Sequence, residues 1–97
     1  PEETRPIGIW GRMHKDYLEQ YHPAQYNDLI LSDRLWTYLA DLNEQAQNRL
    51  NCIIAQMKET EGITEELKTQ DPMAWVGTMN NIRNRAEEII LSEIIYQ

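Results

Sequence analysis

The chain has 97 residues, which is the usual length of one domain with one hydrophobic core. It carries 16 acidic and 9 basic side chains, which give a net charge of -7. We therefore expect it to bind DNA poorly, because neutralisation of the phosphates supplies most of the affinity of proteins for DNA. The single cysteine, Cys52, excludes an internal disulfide, and no run approaches the roughly 20 apolar residues of a membrane span, so we expect a soluble protein of a reducing compartment.

The first third of the chain predicts two short helices. Residues 1–8 are expected to form an extended arm, and because the chain opens at Pro1 without an initiator Met, we expect upstream residues to be missing. Aromatic and apolar residues at spacings of 3 and 4 then predict a helix over residues 9–21. That helix should stop before His22-Pro23, because the residue before Pro disfavours helical angles. A short helix from Pro23 to about Leu31 should follow.

The clearest helical pattern begins near Ser32. Either Ser32 or Asp33 can accept hydrogen bonds from the first free amides, and Gly62 can supply a left-handed exit. Between these ends, apolar residues recur every three or four positions, as in one long amphipathic helix. They are Leu35, Leu39, Leu42, Ala46, Leu50, Ile53 and Met57.

A second long helix is predicted from Asp71-Pro72 to the end of the chain, with Asp71 as the cap and Pro72 in the first turn. Residues 63–70 lie between the two, with Thr64 as a cap and room for at most two helical turns. The long helices should therefore fold back as an antiparallel hairpin, with the shorter N-terminal helices covering it. The expected fold is an all-α small helical bundle, one domain over residues 1–97.

No motif for catalysis or metal binding is present. His14 and His22 are eight residues apart with a helix end between them, so they do not match zinc spacing, and we expect both to face solvent or cap helices. The adjacent pairs Glu65-Glu66 and Glu87-Glu88 point about 100° apart and do not converge. Cys52 is expected to be a passive thiol on a helix surface. We predict no catalytic residue, metal, cofactor or small-molecule substrate.

Two misplaced polar residues suggest how the hairpin is aligned. Asn43 falls on the inner face of the first long helix, and Glu93 falls at the centre of the apolar stripe of the second. If Leu50 meets Ile82, Asn43 comes near Glu93. We therefore hypothesise polar contacts that fix the register, either Asn43 with Glu93 or, at the stripe edges, Arg49 with Arg83. The alternative is that Glu93 simply reaches water near the chain end.

Aromatic residues are concentrated in the first 38 positions. A core of this size needs fewer of them, so some are candidates for a partner interface, although ordinary core packing is the other interpretation. The candidates are Trp10, Tyr17, Tyr21 and Trp36.

Four segments resemble a known family. They are RPIGIWG at residues 5–11, LWTYLADLNEQAQ at 35–47, EGITEELK at 61–68 and MNNIRNRAEEI at 79–89. They are similar to the transposon-encoded TnpV family of bacterial conjugative and mobilisable elements, and the resemblance extends over nearly the whole chain. The resemblance implies a small bacterial cytoplasmic protein encoded near recombination genes. It implies no established reaction and transfers no catalytic residue.

Two functions remain in competition. The first is a non-enzymatic accessory protein that acts through protein–protein interaction in element mobility or its regulation, as a homodimer or with another element-encoded protein. The second is an excisionase-like or repressor-like DNA binder, because a short helix, the LSD turn and a helix starting near Arg34 superficially resemble helix-turn-helix. Asp41 and Glu44, early in that helix, make DNA the less favoured partner.

Overall fold

The computed structural model describes residues 3–97, which form five α-helices and one π-helical turn, with no β-strand among them. The elements are α1 (Gly8–Tyr21), α2 (Pro23–Leu31), α3 (Leu35–Thr60), α4 (Glu65–Gln70), α5 (Pro72–Ile90) and the π turn (Leu91–Ile95). The predicted all-α class is confirmed. The molecule is elongated, with a radius of gyration of 17.1 Å against about 12.5 Å for a compact domain of this length.

The core lies between α1, α3 and the C-terminal end of the chain. Helix α1 and helix α5 both pack against α3, and the π turn folds back onto α1. An added Cβ at Gly11 would lie 3.0 Å from the backbone oxygen of Leu39, so α1 and α3 approach at backbone distance here. The buried residues that form the main cluster are Trp10, Leu42, Ala46, Leu50, Ile53, Ala86, Ile90 and Ile95.

Helix starts follow the sequence prediction at α4 and α5 but not at α3. Thr64 accepts a hydrogen bond from the Leu67 amide, and Asp71 accepts one from the Ala74 amide, as predicted. The predicted Ser32 or Asp33 cap of α3 is wrong. Helix α3 begins at Leu35 without a side-chain cap.

Asp33 instead ends α2 in a Schellman turn. Its φ is 60°, its amide donates to the Ile30 oxygen, and the Arg34 amide donates to the Leu29 oxygen. Helix α3 ends in the same way at Gly62, whose φ is 69°. The left-handed conformation is therefore adopted by Gly62 at the end of α3 and by Asp33 at the end of α2. Glycine adopts it without strain, whereas the Cβ of aspartate makes it unfavourable.

The predicted register of the hairpin is wrong. Arg49 pairs with Glu93 at 3.3 Å, ten residues beyond Arg83, its predicted neighbour. Arg83 is exposed, and no ion pair within residues 3–97 involves it. The reason is α4, which packs on α5 and places Lys68 Nζ 4.8 Å from the Trp75 ring, so the first turns of α5 are covered by α4 rather than α3.

Asn43 does not contact Glu93 as hypothesised. Its amide lies over Gly8 at the start of α1, where any added Cβ would overlap it. The Glu93 side chain is 46 % exposed, so it reaches water as well as Arg49. An ion pair this exposed is worth at most about 1 kcal/mol and does not fix the register.

Of the predicted N-terminal arm, residues 1 and 2 lie outside the described part of the chain, while residues 3–7 lead into α1 without regular secondary structure. Arg5 holds this segment on α3. Its guanidinium contacts Asp41 at 2.7 Å, Glu44 at 3.1 Å and Glu3 at 2.9 Å. The hydrogen bonds from Arg5 lower the pKa of Glu3 from its ordinary value of 4.5 to about 2.

Asp33→Gly should raise the free energy of unfolding by about 0.5 to 1 kcal/mol, because glycine removes the left-handed strain of the Schellman turn. Gly62→Ala should lower it by about 1 kcal/mol, since nothing lies within 4 Å of the added Cβ and only backbone strain is introduced. Urea unfolding followed by circular dichroism measures both. Asp33→Asn, which removes the charge but tolerates the left-handed conformation, is the control; an Asp33→Gly variant no more stable than the native chain would contradict the strain argument.

Glu3 should titrate near pH 2 in a carboxyl ¹³C NMR titration. Because its folded-state pKa lies below the ordinary value, its stabilisation of the arm is fully present above about pH 4.5 and is lost as the pH falls from there towards 2. Arg5→Gln should return the Glu3 pKa towards 4.5. Arg5→Lys, which keeps the charge but loses the planar fork, should give an intermediate value. A native Glu3 that titrates at its ordinary value would refute the contact.

Candidate functional site

A buried histidine ties three elements together. His14 on α1 is 2 % exposed, with Nδ1 2.7 Å from the Ile95 oxygen of the π turn and Nε2 3.0 Å from the Tyr38 hydroxyl of α3. A carbonyl can only accept, so Nδ1 carries the proton and donates. Burial raises the pKa of Tyr38, so its hydroxyl keeps its proton and can donate to Nε2. The prediction that His14 faces solvent or caps a helix is wrong, whereas His22 is exposed as expected.

The Ile95 carbonyl is available because a helix leaves its last carbonyls without internal partners. The π turn satisfies an earlier one, as the Tyr96 amide donates to the Leu91 oxygen at 2.8 Å. His14 satisfies a later one, the Ile95 carbonyl. The end of the chain is thereby held on α1, and the Tyr96 ring comes to 5.5 Å from the Tyr17 ring, measured between centroids.

The tyrosines form the wall of an open groove, here called the tyrosine groove. It has a volume of about 490 Å³ and is lined by Met13, Asp16, Tyr17, Gln20, Tyr21 and Tyr96. The first five occupy one face of α1, at positions i, i+3, i+4, i+7 and i+8. The Tyr17 and Tyr21 ring centroids lie 5.2 Å apart, and the residues Tyr21 and Tyr96 are 62 % and 48 % exposed.

The lining of the tyrosine groove is aromatic and acidic. It contains one carboxylate, Asp16, and no lysine, arginine or histidine. Such a surface offers π faces, hydroxyl groups, an amide and one negative charge. It suits ligands that are flat, cationic or both, and it repels phosphate.

Other exposed apolar side chains form a separate patch at the turn between α2 and α3. Leu31 is 85 % exposed, and Trp36, 51 % exposed, borders a hollow of about 250 Å³ with Ile30. On α5, Met73 and Val76 are also exposed. The hollow beside Trp36 is also lined by Tyr26 and Asp33, but three of its six lining residues are aliphatic, whereas the tyrosine groove has three tyrosines and one aliphatic side chain, that of Met13.

The four predicted interface aromatics are separated by the fold. Tyr17 and Tyr21 are brought together in the tyrosine groove, and Trp36 lies in the apolar patch at the turn between α2 and α3. Trp10 is 6 % exposed and belongs to the core, because it faces α3 one helical turn before His14. Its assignment as a candidate interface residue is therefore wrong. Nor are the predicted polar residues part of the groove. They are Asn43, Arg49, Arg83 and Glu93.

Sequence reasoning missed Asp16, Gln20 and Tyr96 in this site. Asp16 and Gln20 could have been found, because they lie one turn apart on the same face of α1 as Tyr17. Tyr96 could not, since its place depends on the His14 hydrogen bond to a residue 81 positions away.

Comparison with known proteins identifies a family. The family model described as transposon-encoded protein TnpV matches residues 1–95. This chain belongs to the TnpV family. No curated protein and no solved structure matches it. Within the described part of this TnpV-family chain, no helix is both long and apolar enough to span a membrane, and no three metal-ligating side chains cluster.

His14→Leu should lower the free energy of unfolding by about 2 to 4 kcal/mol, because it leaves the Ile95 carbonyl and the Tyr38 hydroxyl without partners. Tyr38→Phe, which orphans only the ring nitrogen, should cost about 1 to 2 kcal/mol. Urea unfolding gives these values, and NMR contacts between the Tyr17 and Tyr96 rings should weaken in His14→Leu. The exposed His22→Leu is the matched control and should change stability by less than about 0.5 kcal/mol. Equal effects at the two histidines would show that the buried bonds are not stabilising.

Proposed function

We propose that this TnpV-family chain is a cytoplasmic, non-enzymatic accessory protein of its transposon that binds another element-encoded protein through the tyrosine groove. The observation that carries the proposal is the exposure of Tyr21 and Tyr96 beside Tyr17 in one concave surface. Tyrosine is enriched at protein interfaces because it combines a large apolar ring with a polar tip. A folded protein that leaves two such rings half exposed in one hollow has a surface suited to a partner.

A purely binding role agrees with the chemistry of the groove. Tyrosine can act as a nucleophile, but the lining supplies no cation that would stabilise the negative charge that develops in such reactions. Asp16 is its single carboxylate, so no acid and base pair is present there. We therefore propose neither a cofactor nor a small-molecule substrate for this site.

DNA binding, the other function considered, has weaker support. In the helix-turn-helix interpretation, α3 would place its first turns in the major groove. Asp41 and Glu44 lie on those turns, and their carboxylates instead hold Arg5. Arg34, at the start of α3, donates to the Ser32 hydroxyl at 3.0 Å. The surface of α3 that would meet the DNA phosphates therefore carries the carboxylates of Asp41 and Glu44, which surround Arg5.

A second copy of the chain is the other protein partner predicted from the sequence. In a two-fold symmetric dimer through the tyrosine groove, the same surface of both copies would meet, and two Asp16 carboxylates would approach each other. Each copy also has a net charge of -7. These repulsions favour a different, more basic protein as the occupant of this groove.

The proposal is tested by purifying tagged protein from a strain that carries the element, identifying the bound protein and rebuilding the complex from purified components. Tyr21→Ala should weaken that complex by about 5- to 30-fold, the range for an interface aromatic of moderate to high importance. Isothermal titration calorimetry measures the affinity. Trp36→Ala, at an aromatic residue outside the groove that is 51 % exposed against 62 % for Tyr21, is the matched control and should leave the affinity unchanged.

Three results would contradict the proposal. The first is an equal loss of affinity in Tyr21→Ala and Trp36→Ala. The second is a stable homodimer of the native chain that Tyr21→Ala dissociates, measured by size-exclusion chromatography with light scattering. The third is sequence-specific binding to the terminal DNA of the element at moderate salt in a gel-shift assay, which would make DNA the principal partner.

A further inference from the structure

We infer that the tyrosine groove takes an arginine side chain from a basic segment of its partner, with the guanidinium stacked on the tyrosine wall and paired with Asp16. This rests on the proposed function and specifies the chemistry of the partner.

The three rings form one continuous curved wall. Tyr21 and Tyr96 flank Tyr17 with centroid distances of 5.2 Å and 5.5 Å and interplanar angles of 39° and 48°. All three rings belong to residues that line the hollow. Because the face of an aromatic ring is electronegative, a cation within about 6 Å of it is attracted.

Asp16 supplies the anion next to this wall. It precedes Tyr17 on α1 and lies one turn before Gln20, so its carboxylate borders the hollow on the same helix face. Within residues 3–97, no cation of the chain forms an ion pair with it. The charge of Asp16 is therefore available to a cation from outside.

The opposite side of α1 contains the same combination with its cation already in place. Lys15 Nζ lies 2.6 Å from the Glu19 carboxylate and 5.7 Å from the centroid of the Tyr26 ring. There, a carboxylate and an aromatic face share one ammonium group. The tyrosine groove has the carboxylate and more aromatic surface but no cation among its lining residues.

Arginine fits this groove better than lysine or a nucleic acid. Its planar guanidinium stacks on aromatic rings and presents a fork of donors to a carboxylate, whereas the lysine ammonium is a strongly hydrated point charge. Nucleic-acid bases also stack on tyrosine, but their phosphates would meet Asp16, and no lining residue of the groove supplies a cation to neutralise them. The net charge of -7 attracts a basic protein segment over longer distances.

The test titrates the purified 97-residue chain with the peptide acetyl-Gly-Arg-Gly-Arg-Gly-amide and follows the tyrosine rings by ¹H–¹³C NMR. The rings of Tyr17, Tyr21 and Tyr96 should shift. A peptide with citrulline in place of arginine keeps the shape without the charge, and its binding should be at least several-fold weaker. The lysine version should bind about two- to fivefold more weakly than the arginine peptide.

Asp16→Asn should weaken binding of the arginine peptide by about two- to fivefold. Asp28→Asn makes the same charge change at an exposed position on α2 and should have no effect. Equal binding of the arginine and citrulline peptides, shifts confined to residues outside the groove, or equal effects of Asp16→Asn and Asp28→Asn would each overturn the inference.

The inference and the proposed function fail separately. A natural partner that needs Tyr21, together with a groove that ignores the arginine peptide, overturns the arginine inference and leaves the proposed function standing. A groove that binds the arginine peptide, together with a partner complex unaffected by Tyr21→Ala, overturns the proposed function and with it the inference built on it.

Discussion

The hydrogen bond from His14 Nδ1 to the Ile95 carbonyl is the interaction on which the candidate site depends. A helix end has unpaired carbonyls, and burying one without a donor would cost roughly 1 to 3 kcal/mol. His14 removes that cost and holds the π turn against α1. Tyr38 occupies the other ring nitrogen, so the imidazole joins α1, α3 and the chain end. Since Tyr96 follows Ile95 directly, the same bond places the third ring of the groove.

The ion pairs of the described residues all lie outside the lining of the tyrosine groove. Several cations are engaged inside the chain: Arg5 holds the arm on α3, Arg85 pairs with Glu61, and Lys15 pairs with Glu19. These contacts organise an acidic surface without neutralising it. The tyrosine groove lies on the other face of α1 from Lys15 and has a carboxylate but no cation in its lining. This difference in charge is the basis for proposing a cationic partner for the tyrosine groove.

Local sequence patterns predicted the helices well and the packing between them less well. Proline at positions 23 and 72, Thr64, Asp71 and Gly62 fix helix ends through short-range geometry, and each acts where expected. The register between α3 and α5 was not predicted correctly. Helix α4 packs on the start of α5, so α3 meets residues of α5 further along the chain than predicted. An apolar stripe with a repeat near 3.6 residues fits many alignments almost equally well. Asn43 and Glu93 were consequently paired with the wrong neighbours.

The sequence by itself determined the all-α class, the order of the helices and the amphipathic face of α1 that carries Tyr17 and Tyr21, since these depend on spacing and propensity within a few turns. Tertiary structure alone decided that Trp10 is core and that Tyr96 joins the groove. It also decided that His14 is buried: its partners lie 24 and 81 residues away. Those choices depend on which buried polar groups find donors and acceptors in the folded chain, and helical periodicity contains no information about contacts at that separation.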